Sequence, residues 1–172
     1  MSVLEDKDTI REVMAAYCHA LDACRFADVA SLFADDGVIP AGRTSYRGEQ
    51  LGYSVAFLSK FAPDIHRELD RVHVIGNVVA VELSFRGTFS APFEAPAGAI
   101  QPNGAKLDVP GADFWYVENG RIKEFNCYVS VNIMLEQMGI QPDFASAIKA
   151  QAVTATAARD AKDRAARAGR RP

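Results

Sequence analysis

Between residues 118 and 139 the chain reads "ENGRIKEFNCYVSVNIMLEQMG". Glu124, Asn126, Tyr128 and Ser130 recur at every second position, with Phe125, Cys127, Val129 and Val131 between them. A period of two is that of a strand whose faces differ. Carboxylate, amide, phenol and hydroxyl groups in a row either meet water or form the polar wall of a ligand cavity. Just upstream, "GADFWYVENG" adds Asp113 and Trp115. A carboxyl group among apolar neighbours has a raised pKa and can move protons near neutral pH. "PDIHREL" supplies His66, which with Asp113 would make a general acid/base pair if both reach one space. Asn126 or Tyr128 would then polarise a substrate oxygen.

Other chemistries lack their residues. There is no glycine-rich phosphate loop, zinc-spaced His/Cys set or nucleophile elbow. Cys18, Cys24 and Cys127 are odd in number and unclustered, which fits reduced packing thiols. His19 and His73 read as structural or solvent-facing. The formal net charge is −3, so the whole protein has no bias toward nucleic acid or anionic membrane. Residues 149–172 are the exception, with seven Lys/Arg against two Asp; a solvated tail is the preferred reading over nucleic-acid binding. Signal-peptide features and runs of about 20 apolar residues are missing, so a cytoplasmic protein is expected.

Thr9 and Glu12 fit a capping box opening a first helix, with Ile10, Val13, Met14, Tyr17, Leu21 and Cys24 on one apolar stripe. A second helix is predicted over 26–33 and a third over 48–61, bringing Tyr53 and Phe57 close to the third helix's apolar side. A short strand begins at Val38. Residues 65–75 read as an extended segment with poor alternation. In 77–89 Val79, Val81, Leu83, Phe85 and Phe89 point one way. "SAPFEAPAGAIQPNGAK" is a loop long enough to form a rim or lid. Strands over 107–117 and 121–131 flank Asn119-Gly120, a type I′ hairpin signal. Helices followed by hairpin-linked strands predict an α+β domain over 1–140, with an Ala/Arg-rich helix and tail over 141–172.

A two-residue turn at Asn119-Gly120 sets a register. It pairs Glu118 with Arg121, Val117 with Ile122, Trp115 with Glu124 and Asp113 with Asn126, with Tyr128 and Ser130 continuing that side. Phe114 with Phe125 and Ala112 with Cys127 fall on the other, and the apolar face of Phe114, Phe125, Cys127 and Val129 could serve as a subunit interface. The mixed Trp–Asp–Asn–Tyr side has the makings of a small-molecule site.

The succession "ALDACRFADVASLFADD", "YRG", "FAPDIHREL", "VVAVELSFRGTF", "GADFWYVENGRIKEF" and "LEQMG" resembles the SnoaL-like polyketide cyclases of the nuclear-transport-factor-two-like superfamily. The resemblance spans about Thr9 to Gly139. It implies a conical barrel, a strongly curved antiparallel sheet wrapped around the N-terminal helices and enclosing a pocket. It also implies a homodimer, and cyclase, isomerase, dehydratase or epoxide hydrolase chemistry without metal or organic cofactor. Dehydratase-like members carry a Tyr and an Asp in a similar "Y…ALD" context, which makes Tyr17 and Asp22 catalytic candidates; alternatively Asp22 closes the helix or binds a backbone amide. Tyr53, Phe57, Phe89, Trp115, Asn126, Tyr128 and Ser130 are the candidates for contact with substrate. The family's acid/base aspartate position is Ser130 here, and its histidine position is Phe89. Serine is no base at neutral pH without activation. Two functions therefore stay open: acid/base catalysis on an apolar, oxygenated polyketide-, steroid- or terpenoid-like molecule, or binding of such a molecule without converting it.

Overall fold

The computed structural model describes residues 7–95, 98–141, 143–146, 148, 149, 151 and 162, apart from the side chains of Tyr53 and Val55. The chain divides into two compact units, 1–139 and 140–172. The second contains few described residues, and the structure of the basic tail lies outside them.

The first unit is α+β. Its elements are α1 (Lys7–Asp22), α2 (Phe26–Ser31), β1 (Phe33–Ala41), β2 (Thr44–Tyr46), α3 (Gln50–Val55), β3 (His66–Ile75), β4 (Val78–Thr88), β5 (Phe93–Ala95), β6 (Gly98–Ile100), β7 (Lys106–Glu118), β8 (Arg121–Val129) and α4 (Val131–Gln137). Helix α1 forms because Ile10, Met14, Tyr17, Cys18 and Leu21 recur at helical spacing and bury one stripe. Thr9 and Glu12 lie inside it and not at its cap. It ends before Cys24, which has φ 55° and is exposed rather than part of the stripe.

Six strands form one sheet in the order β2-β1-β8-β7-β4-β3. Every neighbouring pair is antiparallel except β1 and β8, which run parallel, so the sheet is mixed. The strand expected from Val38 begins at Phe33, taking the end of the expected second helix. The expected third helix is broken into α3 and a 3-10 turn at Leu58–Lys60. The expected rim loop contains the β5–β6 hairpin, and α4 was not foreseen.

Strand β4 alternates as expected, burying Val79, Val81, Leu83 and Phe85. Asn119 and Gly120 take φ 52° and 69°, the left-handed values a type I′ turn requires. Val117 then pairs with Ile122, but Tyr116 pairs with Glu124, leaving Lys123 as an extra residue. The cause is spacing. Ile122 and Phe125 are both buried, to 0% and 1% exposure, and residues three apart share a strand face only across a bulge. Lys123 in turn forms an ion pair with Asp36 on β1.

A one-residue slip exchanges the two faces of everything that follows. The inward set on β8 is therefore Phe125, Cys127 and Val129, opposite Trp115, Asp113 and Gly111. Asn126 and Tyr128 lie on the outer face, opposite Phe114 and Ala112. This corrects the expected register: Asp113 and Trp115 face inward as read, without Asn126 and Tyr128. It also corrects the apolar interface face, because Phe125, Cys127 and Val129 turn inward.

Candidate functional site

The innermost layer under the sheet is aromatic. The Tyr17 ring lies 4.6 Å from that of Phe125 and 5.6 Å from that of Trp115, which is itself 5.2 Å from Phe125. All three are fully or almost fully buried. Tyr17 is delivered by the α1 stripe, Trp115 and Phe125 by the β7–β8 pairing.

Beside this cluster stands a charged trio. Arg67, on β3, points inward with its side chain 7% exposed. Its Nε is 3.7 Å from Oδ2 of Asp113 on β7, whose side chain is 0% exposed. Its Nη1 is 3.3 Å from Oδ1 of Asp22, at the end of α1. The backbone N–H of Arg67 also donates to Oδ2 of Asp22 at 3.4 Å. The guanidinium sits 5.1 Å from the centre of the Phe85 ring, within cation–π range. One cation thus holds two carboxylates, one sealed and one partly in solvent.

Burial raises the Asp113 carboxyl to about 6, against the opposing pull of Arg67 and of the Cys127 thiol. Burial likewise pushes Tyr17 well above its ordinary value, so its phenol stays protonated. Cys127 is also raised well above the usual thiol range, by burial and then by the neighbouring Asp113 carboxylate. Its side chain is exposed nonetheless. The two facts agree in a cavity wall, where the thiol is ringed by protein yet open on one side. Cys18 is pushed up to about 12 by burial and is a packing thiol under the helix.

A pocket of about 190 Å³ lies over these groups, with Arg67, Phe125, Cys127 and Val129 in its inner wall. Phe57, Val131 and Tyr46 line it too and are each more than a third exposed, so they stand toward its mouth. Beneath it, Tyr17 Oη, Arg67 Nε, both Asp113 oxygens and Trp115 Nε1 are buried without a hydrogen-bond partner among the described residues. Native interiors rarely leave such groups unsatisfied, and those that persist mark functional sites or bound solvent. Arg67 and Cys127 lie against the Asp113 carboxylate without hydrogen bonds of full geometry. A larger groove of about 410 Å³, lined by residues such as Phe26, Ala30, Glu49 and Gly52, offers Glu49 but no such convergence.

Of the residues read from sequence, the structure brings Tyr17, Asp22 and Asp113 to the Arg67 guanidinium. Trp115 lies in the layer below the pocket and Phe57 lines it. Asp22 does accept a backbone amide, that of Arg67. His66 is exposed and its ring contacts the Asp64 carbonyl at 3.2 Å, so the expected Asp113–His66 couple does not form. His66 pairs with Arg86 across β3–β4, one residue out of phase with the inward Arg67. Phe89 is core, packed 6.3 Å from Phe61. Asn126 bonds Glu124 on the outer face, and Tyr128 is 62% exposed there. Ser130 starts α4 with no side-chain cap bond. The Tyr53 side chain lies outside the described residues.

Sequence reasoning missed Arg67 and the placement of Cys127. For Arg67 the only signal was its place beside His66 on a strand of unreadable parity. For Cys127 it was the odd spacing of Ile122 and Phe125. Groups of three or more potential metal ligands do not occur among the described residues. No described helix is long and apolar enough to cross a membrane.

Residues 14–125 match the family model described as "SnoaL-like domain". No curated protein matches the chain. Among solved structures, IdmH, a proposed polyketide cyclase from Streptomyces antibioticus, is 23% identical with a TM-score of 0.63 over 76% of this chain and 99% of that one. TsrD from Streptomyces laurentii is 16% identical, TM-score 0.67, over 80% and 99%. An epoxide hydrolase of the LEH-like type from M. tuberculosis is 17% identical, TM-score 0.56, over 76% and 90%. These likenesses establish the fold.

Proposed function

The chain belongs to the SnoaL-like domain family, and from that premise we propose that it catalyses proton transfer on an apolar, oxygen-bearing small molecule, in an isomerisation, dehydration or cyclisation. One observation carries the reading: a fully buried carboxyl group, Asp113, shares a guanidinium with Asp22 directly behind the wall of an apolar pocket. A carboxyl near 6 is poised to take up and release a proton at neutral pH. Arg67 faces the pocket as a fixed cation for an oxygen that gains negative charge.

Asp113 itself does not line the pocket, whereas Cys127 touches both. The proton leaves a carbon beside the substrate carbonyl for Cys127 Sγ as the thiol proton moves to Asp113. The C–H electron pair becomes the enolate, its oxygen against Arg67. Reversal of the relay returns the proton to another carbon, or to a departing hydroxyl. Tyr17, neutral at any physiological pH, is a second donor beneath the site.

Deuterium uptake from heavy water by a panel of cyclic ketones and enones, followed by NMR, tests this. Wild type should catalyse uptake at carbons next to the carbonyl, and Asp113→Asn should abolish it. Equal uptake with both proteins rules out the proposed role. The alternative of binding without conversion draws on the sealing of Asp113 from the pocket and on Phe89 serving as core. An unchanged ligand retained in native mass spectrometry, with no uptake in any ketone, would favour it.

We further propose a homodimer formed through the outer sheet face. There Tyr116 and Tyr128 are 40% and 62% exposed around Phe114, and the Arg71–Glu82 and Arg86–Asp108 ion pairs lie on the same face. Apolar centres with polar rims are what stable interfaces present.

A further inference from the structure

We propose that the pocket accepts a neutral, single-ring-sized carbonyl compound and excludes both fused polycyclic ketones and carboxylates. The inference rests on the reading of this pocket as the active site and names the class of molecule it takes.

Size is the first argument. Pockets for drug-sized ligands enclose about 300–1,000 Å³, against about 190 Å³ here. A cavity of about 150 Å³ is enough for one benzene ring. The space therefore fits one ring with a small substituent. Side chains set this limit. Phe125 lines the pocket and is backed by the Tyr17 and Trp115 rings, the three centres lying 4.6–5.6 Å apart, so it cannot give way inward. On the α3 side, Phe57 stacks edge-on against Phe61 at 5.7 Å and Phe93 at 6.0 Å. Met134 of α4, 2% exposed, takes up further room in the wall. Fused rings beyond the first would have to stand in solvent at the mouth.

Charge is the second argument. Among the described lining residues Arg67 is the ionic one, and two carboxylates already flank it. A ligand carboxylate would bring a third negative group to one guanidinium in a poorly solvated site. A neutral ketone brings an acceptor oxygen and no charge. When it becomes an enolate, the proton it loses neutralises Asp113, so the net charge at the trio is unchanged. The arrangement thus favours an oxyanion made in place over one that arrives.

Titrations read through the single tryptophan, Trp115, would use three probes: 4-ethylcyclohexanone, cyclohexanecarboxylate and androst-4-ene-3,17-dione. Deuterium uptake would be followed for both ketones. The one-ring ketone should bind at least about tenfold more tightly than either other probe, a difference of about 1.4 kcal/mol. Val129→Phe, at a half-buried wall residue, fills the pocket without adding a second indole and should abolish its binding, and Val129→Ala should narrow the gap to the steroid. Equal or tighter binding of the steroid or the carboxylate overturns the proposal, as does no binding of the small ketone. If the small ketone binds but takes up no deuterium, the size and charge selection stands and the proton-transfer reading falls. Uptake confined to the steroid does the reverse.

Discussion

Arg67 Nε stands 3.7 Å from Asp113 Oδ2, in contact range for an ion pair but beyond a hydrogen bond. The pair joins β3 to β7 across the inner face of β4, because Arg67 is opposite Phe85 while Asp113 is opposite Val81. The guanidinium crosses over the Phe85 ring to reach the acid. The pair's loose geometry and full burial together account for a carboxyl raised to about 6 despite an adjacent cation.

That raised value has a defined effect on stability. The folded protein holds the Asp113 proton more tightly than the unfolded chain does. Its contribution is fully present below the unfolded value of about 3.9 and is lost as pH rises through about 6. The displacement is worth about 3 kcal/mol in order of magnitude. Thermal melts from pH 4 to pH 8 should show Asp113→Asn gaining on wild type as pH rises, with the difference levelling off above pH 7. A constant difference would mean the carboxyl is not displaced.

Removing the cation should have the opposite effect and steepen the loss of stability with pH, since Arg67 is what lowers the Asp113 carboxyl. Arg67→Met leaves Asp113 buried without its counter-charge, and breaking one side of a buried pair costs about 3–5 kcal/mol. The loss should be largest at pH 8 and smaller at pH 5, where Asp113 carries a proton. Urea titrations at the two pH values give the comparison; a loss that does not change with pH would place the cost in packing alone.

Gly111 couples packing to the site. A Cβ there would lie 2.6 Å from Cε2 of Phe85 and 2.9 Å from the Tyr128 carbonyl oxygen. Gly111→Ala should therefore displace the ring beneath the Arg67 guanidinium and cost about 1–3 kcal/mol by overpacking. Deuterium uptake should fall as well, since the cation moves with its support. Uptake at the wild-type rate in a destabilised variant would separate Phe85 from Arg67.

The outer face gives a prediction independent of the pocket. Tyr128 is largely exposed, so Tyr128→Glu should leave the monomer folded, with an unchanged far-UV circular dichroism spectrum, while placing a charge in the proposed dimer interface. Sedimentation at micromolar concentration should show a dimer for wild type and a monomer for the variant. A wild-type monomer removes the proposed assembly.

The local pattern carries much of this protein. The spacing of Ile10, Met14, Tyr17 and Leu21 makes α1 and aims Tyr17 inward; alternation from Val79 to Phe85 assigns the faces of β4; Asn119-Gly120 marks the hairpin; and Asp113 with Trp115 falls on the inward side. These are properties of neighbouring residues and of the pleat or the helical turn. Tertiary structure decided the rest. Whether His66 or Arg67 points inward depends on where edge strand β3 locks onto β4, with a register shift between Leu69 and Arg71 that no alternation records. Whether Asn126 or Cys127 meets the pocket depends on the bulge at Lys123, formed because Ile122 and Phe125 must both be buried and Asp36 of β1 pairs with the displaced lysine. A strand's own residues specify two faces, but the face that turns inward, and from which residue on, is chosen by the strands and helices packed against it.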